Sequence, residues 1–193
     1  MRIAFCVYDG MTMLDFVGAY DPLTRIDRMG FRDIEWDVCA KTDSVLANRL
    51  ELGVDQVEPD LGGYDLVFIP GGVPARELRN DESFISWLRT ADADDYITSV
   101  CTGSLLLGEA GFLEGKRATT HPTAYDVLET YATVVDDRVV HDGNVITGRG
   151  VSSSLDLGLY LVSELTDEQT RAAIAEQMDY PYGQDVSGAT EKP

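Results

Sequence analysis

Lysine is nearly missing from this chain. Of fifteen basic residues only Lys41, Lys116 and Lys192 are lysines, against thirty-four aspartates and glutamates. The formal net charge of −19 leaves no basic stripe for counterion release, so neither nucleic acid nor an anionic membrane surface is expected as a partner. The acidic residues are spread along the whole chain instead of gathering in a tail. That distribution suits molar salt, where the Debye length is about 3 Å and like charges are screened from one another, and a halophilic host is expected.

Cysteine is also scarce. Cys6, Cys39 and Cys101 form no CxxC pair and no even set, which excludes a zinc knuckle and a secreted disulfide scaffold and leaves reduced thiols. No run approaches the roughly 18 apolar residues of a membrane span, and "MRIAFCVYDG" enters a strand pattern without a signal-peptide core. A cytoplasmic protein is therefore expected. With only His121 and His141 as histidines, no ligand cluster of the kind zinc requires is visible.

What is present is a repeated alternation of short β-rich runs and longer helical patterns, which predicts an α/β fold with a mostly parallel sheet covered by helices. "RIAFCVY" predicts a buried first strand. "TMLDFVGAYDPLTRIDRM" follows as a crossover helix, with Thr12 as N-cap and Gly30 as stop. "IEWDVCAK" and "YDLVFIPGG" predict further strands, separated by a turn-rich stretch from Thr42 to Gly63 with room for a hairpin. "DESFISWLRTAD" predicts a capped helix, and "YITSVC" a strand running directly into the helix "TGSLLLGEAGFL". Beyond these, "KRATTH" predicts a strand and "PTAYDVLETY" a helix opening on Pro122. "RVVHDGNVIT" predicts a hairpin turning at Asp142 and Gly143, before two closing helices. At 193 residues with 44% hydrophobic content, one domain is expected over residues 1–178, and 179–193 is expected to fray.

The chemistry gathers at Cys101. A strand that passes through one residue into a helix has the local form of a nucleophile elbow, with the side chain presented at the carboxyl end of the sheet. The helix starting near Thr102 points its free N–H groups at the sulfur, which is expected to favour thiolate over thiol. Gly71 and Gly72, after the strand "LVFIP", bring bare backbone near, and together with the Thr102 amide they are expected to form an oxyanion cradle. Asp15, early in the first helix between Leu14 and Phe16, is a candidate buried acid. His121 is the most versatile acid–base group nearby and a candidate substrate-binding residue. His141 beside its turn is expected to be structural, and Ser152 to Ser154 are expected to be helix caps and not nucleophiles.

"IPGG", followed some thirty residues later by "SVCTGSLLLGEAGFLEGKRATTHP", resembles the DJ-1/PfpI (ThiJ-like) superfamily. The resemblance covers about residues 1 to 178, from "LDFVGAYDPL" through "VITGRGVSSSLDLGLYLVSEL". It is closest to the isonitrile hydratase branch, whose members carry an aspartate in the first helix and "CTGS" at the elbow, here Asp15 and Cys101. Thr102 stands where PfpI-type peptidases place histidine, and Asp15 where DJ-1 itself has glutamate.

The resemblance implies a flavodoxin-like three-layer α/β/α sandwich of the class I glutamine amidotransferase-like type, and a homodimer. It also implies a cofactor-independent hydro-lyase in which Cys101, Asp15 and Thr102 are catalytic while Gly71, Gly72 and His121 bind substrate. Other branches act on glyoxal-type carbonyls or sense oxidants through the same cysteine, and others serve as sensing halves of AraC-type regulators, for which no DNA-binding helix pair is seen after residue 178. Small-molecule chemistry at Cys101 without metal or organic cofactor is the expectation.

Overall fold

The computed structural model describes residues 1–92 and 96–181. The chain forms β1 (Arg2–Cys6), α1 (Met13–Arg28), β2 (Glu35–Ala40), a hairpin of β3 (Ser44–Ala47) and β4 (Leu50–Gly53), then β5 (Gln56–Val57) and β6 (Leu66–Ile69). The short α2 (Ala75–Leu78) and α3 (Glu82–Leu88) lead to β7 (Tyr96–Val100), α4 (Gly103–Ala110) and β8 (Arg117–Ala118). There follow α5 (Tyr125–Leu128), β9 (Thr133–Val134), β10 (Val139–Asp142), β11 (Val145–Gly148), α6 (Ser153–Leu165) and α7 (Glu168–Gln177).

Seven strands form the central sheet in the order β10-β11-β7-β6-β1-β2-β5, all parallel except the antiparallel edge pair β10–β11. β6 is a continuous apolar run, LVFI, buried at every position, as a parallel strand covered on both faces must be. The chain steps from β1 to β2 in one direction and from β6 through β7 to β11 in the other. Right-handed crossovers then place the connecting helices on opposite faces, and α1, α6 and α7 pack among themselves while α2, α3 and α5 pack around α4. The point of reversal lies between β1 and β6. The carboxyl ends of β1, β6 and β7 meet there, which is where open α/β sheets take ligands.

Helix α1 buries Asp15, Phe16, Ala19, Leu23 and Ile26 along one stripe, and Phe5 of β1 joins this helix to the sheet through edge contacts with Phe16 and Phe68. The α1–α6 contact is unusually close. A Cβ on Gly158 of α6 would lie 2.8 Å from the Gly18 carbonyl oxygen and 3.0 Å from the Ala19 Cα, so the two backbones touch where a side chain would otherwise intervene.

Several local expectations are refined. Thr12 does occupy the N-cap of α1, but its hydroxyl makes no cap bond, whereas Asp81 caps α3 by accepting from the Ser83 and Phe84 amides. The strand predicted at "KRATTH" is only Arg117–Ala118 and leaves the central sheet to pair with β9. Pro122 opens a 3₁₀ turn that leads into the four residues of α5. Among the described residues no helix is long and apolar enough to cross a membrane. The expected fraying tail falls largely on 182–193, outside the described residues. Its early residue Tyr180 is tied down by donating its hydroxyl to Asp156 at 2.6 Å.

Candidate active site

Cys101 joins β7 to α4 with φ of +56°, a left-handed conformation that costs a non-glycine residue roughly 1–2 kcal/mol. The surroundings hold it there. Its amide donates to the Gly148 carbonyl of β11 at 2.9 Å, extending the ladder one residue past the strand. Its carbonyl accepts from the Ser104 hydroxyl at 3.1 Å and from the Thr120 hydroxyl at 2.9 Å. The helix can start immediately because residue 103 is glycine: a Cβ there would lie 2.5 Å from the Ile69 carbonyl oxygen at the end of β6. The elbow expected from "SVCTGS" is therefore present, and its side chain is directed to the carboxyl ends of the strands.

Asp15 reaches the elbow from the buried stripe of α1 and is 0% exposed. Its Oδ2 accepts from the Gly71 amide at 3.0 Å. Oδ1 is buried and has no partner of full hydrogen-bond geometry among the described residues, and the carboxyl interacts with the Cys101 thiol. Gly71 is required by this convergence, since a Cβ on it would stand 2.7 Å from the Cys101 Cβ and 2.9 Å from Asp15 Oδ2.

Thr102 contributes twice. Its amide interacts favourably with the sulfur, and its hydroxyl forms a reciprocal pair with Gly72, accepting from the amide at 2.9 Å and donating to the carbonyl at 2.8 Å. The expected oxyanion cradle is thus altered. The Gly71 amide is occupied by Asp15, the Gly72 amide by the Thr102 hydroxyl, and that hydroxyl's own proton by the Gly72 carbonyl, which leaves the Thr102 amide as the donor toward the sulfur. His121 lies one residue beyond Thr120, yet its Nδ1 pairs with Thr123 Oγ1 at 2.8 Å and makes no hydrogen bond to Cys101. His141 is held by Tyr160 and the Gly143 carbonyl; Ser152 stands at the N-cap of α6 without a side-chain cap bond, and the Ser154 hydroxyl donates to the Leu14 carbonyl of α1 and to the local Val151 carbonyl.

The expected bias toward thiolate is corrected by the environment. Burial pushes the Asp15 carboxyl up to about 7, against the opposing effects of Cys101 and the Gly71 amide. Burial, and next the nearby Asp15 charge, push the Cys101 thiol up to about 12, outweighing the opposing effect of Thr102. Cys101 is itself only 5% exposed. As pH rises through about 7 the pair therefore passes from neutral to a monoanion that shares one proton, and the thiolate exists when that proton rests on Asp15. The orientation of the helix was legible in the sequence, whereas the depth of burial that overrides it was not.

Sequence reasoning passed over Tyr8 and Thr120. Tyr8 follows β1 at the sheet reversal and donates to the Pro70 carbonyl at 3.0 Å. Its position two residues past a buried strand, beside the glycines after β6, is the signal that could have drawn notice.

A thiol on a strand-to-helix elbow, at the reversal point of a mostly parallel sheet and paired with a buried acid from the first crossover helix, defines a cysteine-elbow α/β protein. The DJ-1/PfpI family profile matches residues 1–164, and the chain belongs to the DJ-1/PfpI family. It is 36% identical over 182 residues to the isonitrile hydratase of Pseudomonas putida, covering 93% of this chain and 78% of that enzyme. It is 32% identical over 180 residues to the HTH-type transcriptional regulator CdhR of Pseudomonas aeruginosa, covering 90% of this chain but 53% of the regulator. Among solved structures, a ThiJ/PfpI family protein from Pseudomonas syringae superposes with a TM-score of 0.85 at 32% identity, covering 93% of this chain and 75% of that one. DJ-1beta of Drosophila melanogaster shares the fold, with a TM-score of 0.82 at 24% identity over 94% of this chain and 98% of its own.

Proposed function

We propose that this protein is a cysteine-dependent isonitrile hydratase that adds water to R–N≡C to give the formamide R–NH–CHO without a cofactor. The observation that carries the reading is the buried Asp15 carboxyl, whose hold on a proton reaches to about pH 7 against the Cys101 thiol. It is strengthened by the 36% identity to a relative that bears that activity in its name. With the shared proton on Asp15, the Cys101 thiolate attacks the terminal isonitrile carbon, and Asp15 protonates that carbon to give the thioimidate R–N=CH–S. The Asp15 carboxylate then takes a proton from water as its oxygen bonds to the same carbon. That proton passes to nitrogen, the C–S bond breaks, and the remaining hydroxyl proton returns to Asp15 as the carbonyl forms. Thiol pair and proton count end as they began.

The orphaned Asp15 Oδ1 is a place to hold the attacking water, and the Thr102 amide stabilises charge on sulfur. A cysteine only 5% exposed suits a linear, one-atom-wide head such as the isonitrile carbon better than a branched carbonyl. A cytoplasmic homodimer goes with this reading.

The test is a panel of alkyl isonitriles in molar potassium chloride, with formamide followed by NMR. The wild type is expected to form formamide and Cys101→Ala none, with the fold retained by circular dichroism. Undiminished turnover in Cys101→Ala removes the mechanism, and consumption of methylglyoxal in preference to every isonitrile reassigns the thiol to carbonyl chemistry.

A further inference from the structure

We infer that Tyr8 is a positioning residue that sets the acidity of Asp15 through the single peptide group joining Pro70 to Gly71. The Tyr8 hydroxyl donates to the Pro70 carbonyl at 3.0 Å, and the amide of the same peptide unit, on Gly71, donates to Asp15 Oδ2 at 3.0 Å. Hydrogen bonds in series across one amide polarise each other: a donor on the oxygen draws electron density from nitrogen and makes its N–H the better donor. Tyr8, Pro70–Gly71 and Asp15 are such a series, and it ends on the carboxyl that faces the reactive sulfur.

The geometry keeps this relay in one arrangement. The Tyr8 ring is buried and packs edge-on against Phe84 of α3 with centroids 5.9 Å apart. The peptide unit that follows is fixed as well, because the Gly71 carbonyl accepts from the Thr12 amide at the start of α1 at 2.8 Å. Burial, with the charges of Asp15 and Cys101, pushes the Tyr8 phenol well above its ordinary value, so it stays a donor over the whole working range. The titratable groups facing Asp15 are Cys101 from the elbow and Tyr8 from the segment after β1. α6, packed across α1, offers the non-titrating Ser154, bonded to the Leu14 carbonyl. The chain Cys101–Asp15–Gly71–Pro70–Tyr8 thus links a phenol outside the reacting pair to the proton that pair shares.

The inference rests on the Asp15–Cys101 pairing of the proposed mechanism but not on the substrate, and its test uses no isonitrile. The probe is the rate of Cys101 alkylation by iodoacetamide as a function of pH, read on the Cys101 peptide by mass spectrometry so that Cys6 and Cys39 do not contribute. Weakening the Gly71 donor destabilises the Asp15 carboxylate. Tyr8→Phe is therefore expected to move the midpoint of the reactive limb up by about half a pH unit, with the melting temperature tracked alongside. In Asp15→Asn the same change is expected to leave the alkylation profile where it was. Placing 3-fluorotyrosine at position 8, a stronger donor of nearly the same shape, is expected to shift the midpoint down. An unmoved midpoint in Tyr8→Phe, or an equal shift in the Asp15→Asn background, overturns the inference. Loss of hydration with the midpoint shifts intact would instead count against the substrate assignment alone.

Discussion

Asp15 and Cys101 compete for a single negative charge, and the pH dependence of the protein follows from which of them bears it. Burial raises the Asp15 carboxyl from 3.8 to about 7, so between those values the folded state binds a proton that the unfolded chain has released. Stability contributed by neutral Asp15 is full below about pH 4, falls as pH rises, and is gone above about 7. A displacement of about three units corresponds to on the order of 4 kcal/mol. Asp15→Asn keeps an acceptor for the Gly71 amide without the charge. Its melting temperature is expected to exceed that of the wild type by at least about 5 °C near pH 9 and to match it near pH 4, measured by calorimetry across that range; equal melting temperatures at both ends would show that the carboxyl is not held in a costly setting. Hydration is expected to run the opposite way, rising through about pH 7 as the pair becomes a monoanion, and Asp15→Asn is expected to lower kcat by a factor of about 10² or more for want of its proton donor. A flat pH–rate profile in this region would detach Asp15 from the chemistry.

At the scale of elements, what could be read in advance was whatever a local pattern forces. "YITSVC" running into Gly103 announced the elbow, because apolar strand and helix leave no residues for a loop and the glycine lets α4 start against the end of β6. "LVFI" announced β6 because an unbroken apolar run of that length fits a strand covered on both faces. Gln56–Val57 did not announce β5, since both residues are exposed and the strand exists only by pairing with Cys39 and Ala40 of β2. The four residues of α2 are too few for a helical period to show. At the site Asp15, Cys101, Thr102 and Gly71 are brought together by segments whose patterns are local, while the occupation of the Gly72 amide and the direction of the thiol's shift depend on packing between distant segments. The α1–α6 contact shows how such packing reaches the site, because the helix that carries Asp15 is seated by backbone contact with Gly158. Gly158→Ala would press a methyl into the Gly18 carbonyl oxygen and the Ala19 Cα, atoms that cannot rotate away. The expected cost is about 1–3 kcal/mol, or roughly 2–12 °C in melting temperature, together with reduced turnover as α1 shifts. Gly53→Ala, in the β3–β4 hairpin with nothing within 4 Å of its Cβ position, is the control and is expected to change neither.

For the molecule as a whole, the dominant long-range term is its own charge. A net −19 is carried on one compact sheet-and-helix body. The internal ion pairs, such as Arg138 with the buried Asp156 and Arg117 with Asp142, use up cations and leave most carboxylates on the surface unopposed. At about 0.01 M salt the Debye length is about 30 Å, so carboxylates on opposite faces repel; at about 1 M it is about 3 Å and only neighbours do. Folding gathers these charges and unfolding disperses them, so screening stabilises the folded state. The melting temperature is accordingly expected to climb steeply between about 0.05 and 1 M potassium chloride and then level off, unlike the steady rise given by an excluded osmolyte such as sucrose. Glu114, Glu129 and Glu176 are exposed. Replacing all three with lysine raises the net charge by six, and the variant should melt higher than the wild type in low salt while converging with it in molar salt. If the two salt curves run parallel, charge repulsion is not what the salt relieves, and the acidic surface must act through its hydration instead.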